Sequence, residues 1–186
     1  QNLAQYTGSK HAIATTNGTA ALHTALRLCD VGPETEVLVQ SLTFIATINA
    51  ISYCHATPHF IEVHPETLSV DPFLLKKYLS TQIKKNKKPI KALIVMHTYG
   101  NPSQLKEIAQ VCDEFEISMI EDAAESLGSF YEGRHTGCFG KAAALSFNGN
   151  KIITTGGGGA VLTQDSALAK RAKHLTTTAK SPTPSW

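Results

Sequence analysis

Residues 91–122 read KALIVMHTYGNPSQLKEIAQVCDEFEISMIED. Lys91 to Met96 is an apolar run rich in branched residues, the pattern of a buried strand. Beyond the HTYG break, Leu105, Ile108, Ala109, Cys112 and Phe115 recur at helical spacing. Asn101 is positioned to cap that helix, with Pro102 at its first turn and Gln104 closing a capping box. Ser118 to Ile120 then returns to a strand and ends directly in Glu121 and Asp122. Strand, helix and strand in succession is the α/β pattern, and open α/β sheets place their chemistry at strand ends.

The alternation continues in both directions. Leu22, Leu26 and Cys29 follow helical spacing after an Asn17-Gly18 break, and Val37 to Val39 reads as a short strand. Phe44 to Cys54 is predicted helical, His59 to Val63 extended, and Pro72 to Leu79 helical with an acidic start at Asp71. Tyr131 to Gly140, with three glycines, reads as a loop; Ala142 to Phe147 and Gly159 to Leu162 read as strands. No internal repeat is visible, and the SPTPSW end reads as frayed or truncated.

Composition narrows the function. A chain of 186 residues supports one domain with a substantial core, alone or as part of something larger. The net charge of +2 implies no broad surface for nucleic acid, and the KKNKK run at 84–88 reads as a solvated connector. The first ten residues, QNLAQYTGSK, lack the features of an export signal, and no apolar run approaches the roughly 20 residues that span a bilayer. Cys29, Cys54, Cys112 and Cys138 are far apart and show no metal-ligand spacing, so reduced core thiols, a cytoplasmic location and no metal are expected.

The chemistry concentrates in SFNGNKIITTGGGG at 146–159. A phosphate loop of the Walker type carries its glycines before its lysine; here they follow Lys151 and lead into a strand, which fits a tight turn instead. Taken alone, Lys151 reads as a surface charge, because an exposed amine is protonated at neutral pH and a poor nucleophile. A pyridoxal phosphate site needs such a lysine, an acid facing the pyridine nitrogen, phosphate donors and a flat ring to stack on the cofactor. Asp122, ending an apolar strand, needs either a cationic partner or the role of helix cap for Ala123 onward. Asn17 to Ala21 opens a helix whose free N–H groups and Thr19 hydroxyl suit a phosphate, as they would suit an ordinary helix start. Ser146 offers a second hydroxyl, or is a buried serine satisfied by backbone.

The segments NGTAALHTAL, TFIATINAISYCHATPHFIEVHPETLSVDP, HTYGNPSQLKEIAQVCDEF, IEDAAESLGSFYEGRHTGCFG and SFNGNKIITTGGGG, in this order, resemble the pyridoxal-phosphate-dependent sugar aminotransferases of the DegT/DnrJ/StrS group. The resemblance runs from about residue 5 to about residue 175. It implies the fold of aspartate aminotransferase: a mixed, mainly parallel sheet flanked by helices. The chain 1–186 would then be most of the cofactor-binding large domain, with an N-terminal segment and a smaller C-terminal domain outside it.

The resemblance also implies roles. Lys151 takes the place of the lysine that forms an imine with pyridoxal phosphate and shuttles protons; Asp122 takes that of the acid facing the pyridine nitrogen. Thr19, the Ala20 backbone and Ser146 match phosphate ligands, and Phe44, otherwise a core residue, matches the stacking ring. Glu125 falls beside the cofactor's phenolic oxygen, where many relatives carry glutamine or histidine, while His97 and Tyr99 are read as structural.

The implied reaction moves an amine from an amino acid, usually glutamate, to a nucleotide-linked keto-sugar, in a homodimer that engages neither nucleic acid nor membrane. Many relatives read TTGEGG where this chain has TTGGGG. That departure and the SFNGNK wording point to the branch aminating C4 of a UDP-linked 4-keto-6-deoxy-N-acetyl sugar, as in legionaminic acid pathways. The lysine disfavours the dehydratase branch. A regulator that binds the cofactor without transamination, and a structural paralogue that binds nothing, are the rival readings.

Overall fold

The computed structural model describes residues 1–82 and 88–180. Residues 84–87 of the basic run and the SPTPSW end therefore lie outside the described residues. In chain order the elements are α1 (Asn2–Thr7), β1 (His11–Thr15), α2 (Gly18–Leu28), β2 (Glu36–Gln40), α3 (Ile45–Tyr53), β3 (Thr57–Ile61), α4 (Pro72–Gln82), β4 (Ile90–Met96), α5 (Leu105–Glu114), β5 (Ser118–Asp122), β6 (Phe130–Tyr131), β7 (Arg134–His135), β8 (Ala142–Ser146), β9 (Gly159–Thr163) and α6 (Ser166–Leu175).

Seven strands form one sheet in the order β1-β9-β8-β5-β4-β2-β3. The run from β3 to β8 is parallel, and β9 and β1 close one edge antiparallel. Period-2 alternation divides the sheet's side chains between two cores. On one face Val37, Val39, Ala92, Ile94 and Ile120 pack against α2 and α3; on the other Leu38, Leu93, Val95 and Met119 meet α4 and α5. The expected mixed, mainly parallel α/β sheet is thus observed. Its parallel strands are nearly continuous apolar runs because helices cover both faces. All four cysteines are buried and free of disulfides. Among the described residues no helix is long and apolar enough to cross a membrane.

Three local expectations change. The capping box at Asn101 does not form: α5 starts at Leu105, with Gln104 as a cap that makes no side-chain bond. Asn101 is extended, at φ −77° and ψ 122°, as a residue before proline is driven to be, and its amide reaches the Thr67 carbonyl instead. The stretch 131–140 is not all loop, since β6 and β7 make a small antiparallel ribbon. The extended stretch begins at Thr57 and ends at Ile61, leaving Val63 in an isolated bridge to Val70. By contrast, Asp71 caps α4 as expected, accepting the N–H groups of Phe73 and Leu74.

One buried acid ties the loop after β7 to the sheet. Glu121 is fully buried, yet its carboxylate accepts N–H groups from Gly137 (2.6 Å), Phe139 (2.7 Å) and Gly140 (2.7 Å), and pairs with His97 Nε2 at 3.1 Å. Burial pushes its pKa up, but the His97 bond and charge and the Gly140 and Gly137 amides outweigh burial and hold it below the usual value. Its stabilisation is therefore complete above the unfolded carboxyl pKa of about 4.3 and is lost as pH falls through the lower folded value. Glu121→Gln is expected to destabilise the protein by ~3–5 kcal/mol at pH 7, the cost of breaking a buried pair. Thermal unfolding followed down the pH scale should show the gap to wild type closing in acid; a constant gap would contradict the assignment.

Candidate active site

The parallel strands deliver their C-terminal ends to one edge of the sheet, and a cavity of about 300 Å³ opens there. Its walls include Thr19 in the first turn of α2, Phe44 at the N-cap of α3, Asp122 ending β5, Ser146 ending β8, and Glu125 and Lys151 on the following turns. Six of the seven residues singled out from the sequence thus meet in one space. The seventh, Ala20, is not on the wall, and its N–H is taken by the capping Asn17 Oδ1 at 2.7 Å. That amide can serve a phosphate only once the cap opens.

The lysine is held from two sides. Its Nζ lies 3.2 Å from Glu125 Oε1 and 5.7 Å from the centre of the Phe44 ring. It is only 12% exposed, and its backbone N–H donates to the Asn148 carbonyl. Phe44 is largely exposed, which excludes the core role its apolar character suggested and leaves its ring face available for stacking.

Asp122 is almost wholly buried. Its Oδ2 accepts the Thr47 hydroxyl at 2.6 Å and its Oδ1 the Ala124 N–H at 3.2 Å. Residues 123–126 form turns, so the acid caps a turn and not a helix. Burial pushes its pKa up; the Thr47 and Ala124 bonds and the charges of His97 and Lys151 pull the other way without offsetting burial. Its ionised form therefore lacks a cation, and the cavity gives it room to face one.

At the opposite end, Thr19 stands where a helix has no internal acceptor for its N–H. Ser146 Oγ accepts the Asn148 N–H, which leaves its own proton free to donate. A glycine brings these two donors together: a Cβ at Gly159 would lie 2.5 Å from the Asn17 carbonyl, so only glycine lets β9 pass beneath the start of α2. This set of an amine, a buried acid needing a cation, a ring and hydroxyl donors fits pyridoxal phosphate.

The segment after β4 divides. His97 is buried on Glu121, as a structural residue should be, although its Nδ1 has no hydrogen-bond partner among the described residues. Tyr99 is 87% exposed at φ 52°, and its N–H donates to Glu125 Oε2 at 3.3 Å; its backbone is structural but its ring is not. Thr47 and Met96 were not anticipated. Thr47 had one legible signal, its place one helical turn after Phe44. Among the described residues no group of His, Cys, Asp or Glu is arranged to hold a metal.

A lysine and a buried acid set around a cavity at the strand ends of such a sheet define a cofactor-dependent α/β site. The profile of the DegT/DnrJ/EryC1/StrS aminotransferase family matches residues 1–184, and the chain belongs to that family. It is 43% identical to EpsN of Bacillus subtilis (strain 168), named as a pyridoxal phosphate-dependent aminotransferase, over 98% of this chain and 47% of that protein. It is 42% identical to the GDP-perosamine synthase of Caulobacter vibrioides, over 92% of this chain and 44% of that one. A crystal structure of a DegT DnrJ EryC1 StrS aminotransferase from Brucella abortus superposes with a TM-score of 0.93 at 32% identity, covering 98% of this chain and 49% of its own. The chain thus spans about half the length of the relatives it matches.

Asp122→Asn should separate stability from binding. A raised folded pKa means that stability is lost as pH rises from the unfolded value of about 3.9 through the folded one. The variant escapes that loss, so its cofactor-free midpoint at pH 7 is expected to rise by about 2–4 °C, the shift of ~1 kcal/mol in a chain this long. Cofactor affinity, measured by absorbance titration, should fall instead. A lowered midpoint would show that losing one acceptor oxygen, to Thr47 or to Ala124, outweighs the relief of burial.

Proposed function

We propose that this chain is the pyridoxal phosphate-binding large domain of an aminotransferase that aminates a nucleotide-linked keto-sugar. The observation that carries the reading is the convergence of Lys151, Asp122 and Phe44 on one cavity that also receives the Thr19 and Ser146 hydroxyls. When bound, the cofactor supplies an electron sink that lets an amino acid exchange its amine for a carbonyl.

The protein's part is then positional and protonic. Lys151 Nζ would hold the cofactor and would take up and release a proton at its own nitrogen. Asp122 supplies the negative charge that keeps the pyridine nitrogen protonated, and Thr47 holds that carboxylate in place. Thr19 and Ser146 fix the phosphate, joined by the Ala20 amide when Asn17 releases it. Phe44 would offer its ring to the cofactor, and Glu125 stands beside the Lys151 amine.

The proposal extends to glutamate as donor and to C4 of a UDP-4-keto-6-deoxy-N-acetylhexosamine as acceptor. The glycine run that replaces the relatives' TTGEGG supports that branch. The proposal also takes in a cytoplasmic homodimer, which the buried free thiols and the exposed apolar side chains of Phe44, Ile45, Ile152 and Ile153 support.

Borohydride reduction of the cofactor-loaded protein, followed by peptide mapping, is expected to fix the label on Lys151; a label elsewhere overturns the site. Lys151→Ala should abolish glutamate-dependent amination across a panel of nucleotide keto-sugars. A label on Lys151 with no amination of any sugar would favour a cofactor-binding regulator.

A further inference from the structure

Gln40 ends β2, is fully buried, and has no part in the roles proposed above. A buried primary amide is retained at low cost only if its hydrogen bonds are made. Gln40 Nε2 donates to the Leu42 carbonyl (2.9 Å) and the Thr98 hydroxyl (3.2 Å), with the Leu68 carbonyl at 3.4 Å. Its Oε1 accepts the Met96 N–H at 3.0 Å. One side chain therefore joins the ends of β2 and β4 to the loops that leave them.

Those loops are the two arms that reach Lys151. The first runs from Leu42 to Phe44, whose ring lies 5.7 Å from the lysine Nζ. The second runs from Thr98 to Tyr99, whose N–H holds Glu125 Oε2 while Glu125 Oε1 meets the same Nζ. Tyr99 adopts a left-handed backbone that a bulky residue keeps only when its surroundings impose it. Gly100 completes the constraint: at φ 81°, a Cβ there would lie 2.7 Å from the Glu125 carbonyl, so the turn is pressed onto the Glu125 backbone. A side cavity of about 110 Å³ separates the arms, lined by Leu42, Phe44, Met96, Tyr99 and Glu125.

We infer that Gln40 is a positioning residue that sets the spacing between Phe44 and Glu125, and so fixes the Lys151 amine between the ring that covers the cofactor and the acid beside it. This rests on the cofactor reading for its consequence, but its first test does not need the cofactor. Thr98→Val keeps the shape of the core and removes the hydroxyl that passes Gln40's hold to Tyr99. In the cofactor-free protein, hydrogen exchange at the Tyr99 amide is expected to quicken about ten-fold in both Thr98→Val and Gln40→Leu, the loss of roughly one hydrogen bond's restraint. Unchanged exchange would overturn the inference, and if Gln40→Leu does not fold, Thr98→Val decides alone.

A second test uses the loaded protein. Both variants should weaken pyridoxal phosphate binding and shift its visible absorption. In a Glu125→Ala background, Thr98→Val should add less than about a two-fold further loss, because the arm then positions nothing. Losses that multiply independently would make Gln40 a satisfied core amide and no more. If Lys151 fails to label, the exchange result still stands on its own.

Discussion

Two neighbouring carboxylates at the end of a buried strand are the constraint around which this molecule is organised. Because side chains alternate along β5, Glu121 and Asp122 leave the strand on opposite faces of the sheet and meet different fates. Glu121 is answered from within the protein by His97 and three backbone N–H groups, so its charge holds structure. Among the described residues Asp122 is hydrogen-bonded only by a hydroxyl and one amide. The first acid makes the strand end rigid; the second leaves a demand for a cation that a ligand must meet. A one-residue slip in the register of β5 would exchange the two environments.

The rest of the site follows from strand direction. Parallel β4, β5 and β8 bring Met96, Asp122 and Ser146 to one edge, while the antiparallel return through β9 carries the chain back under the start of α2. The Thr19 and Ser146 hydroxyls thereby reach one cavity from a helix terminus and a strand terminus that are far apart in sequence. Their proximity depends on a missing side chain at Gly159 and not on a bond between them.

Much of this was legible from residue order alone. The apolar runs at 91–96 and 118–120 and the helical spacing after Leu105 gave the right layers, because burial on both faces leaves a strong compositional trace. Chemistry alone raised Lys151, Asp122, Thr19 and Ser146 and left each with an ordinary alternative, which the family likeness then weighted, while Phe44 came through that likeness. The capping box failed because a proline's effect on the preceding residue outweighed a favourable Asn–Gln spacing. The elements α1, β1 and α6 were missed: α1 is six residues long, and β1 has only Ile13 buried. Gln40, Thr47 and the Glu121 clamp act through contacts between distant segments, which leave no local signature.

The edge strand β1 carries one more consequence. Among the described residues His11 to Thr15 pair only with β9, in a register that joins His11 to Thr163 and Thr15 to Gly159. That closure spans nearly the whole chain, and long loops are slow to close. During synthesis β1 emerges long before its partner β9 exists, while the β2–β5 core can already assemble. The order of manufacture is therefore the reverse of the order of completion: the earliest of the described strands is the last of them to gain its neighbour. Until then it is an unpaired strand that the growing chain must keep from pairing elsewhere.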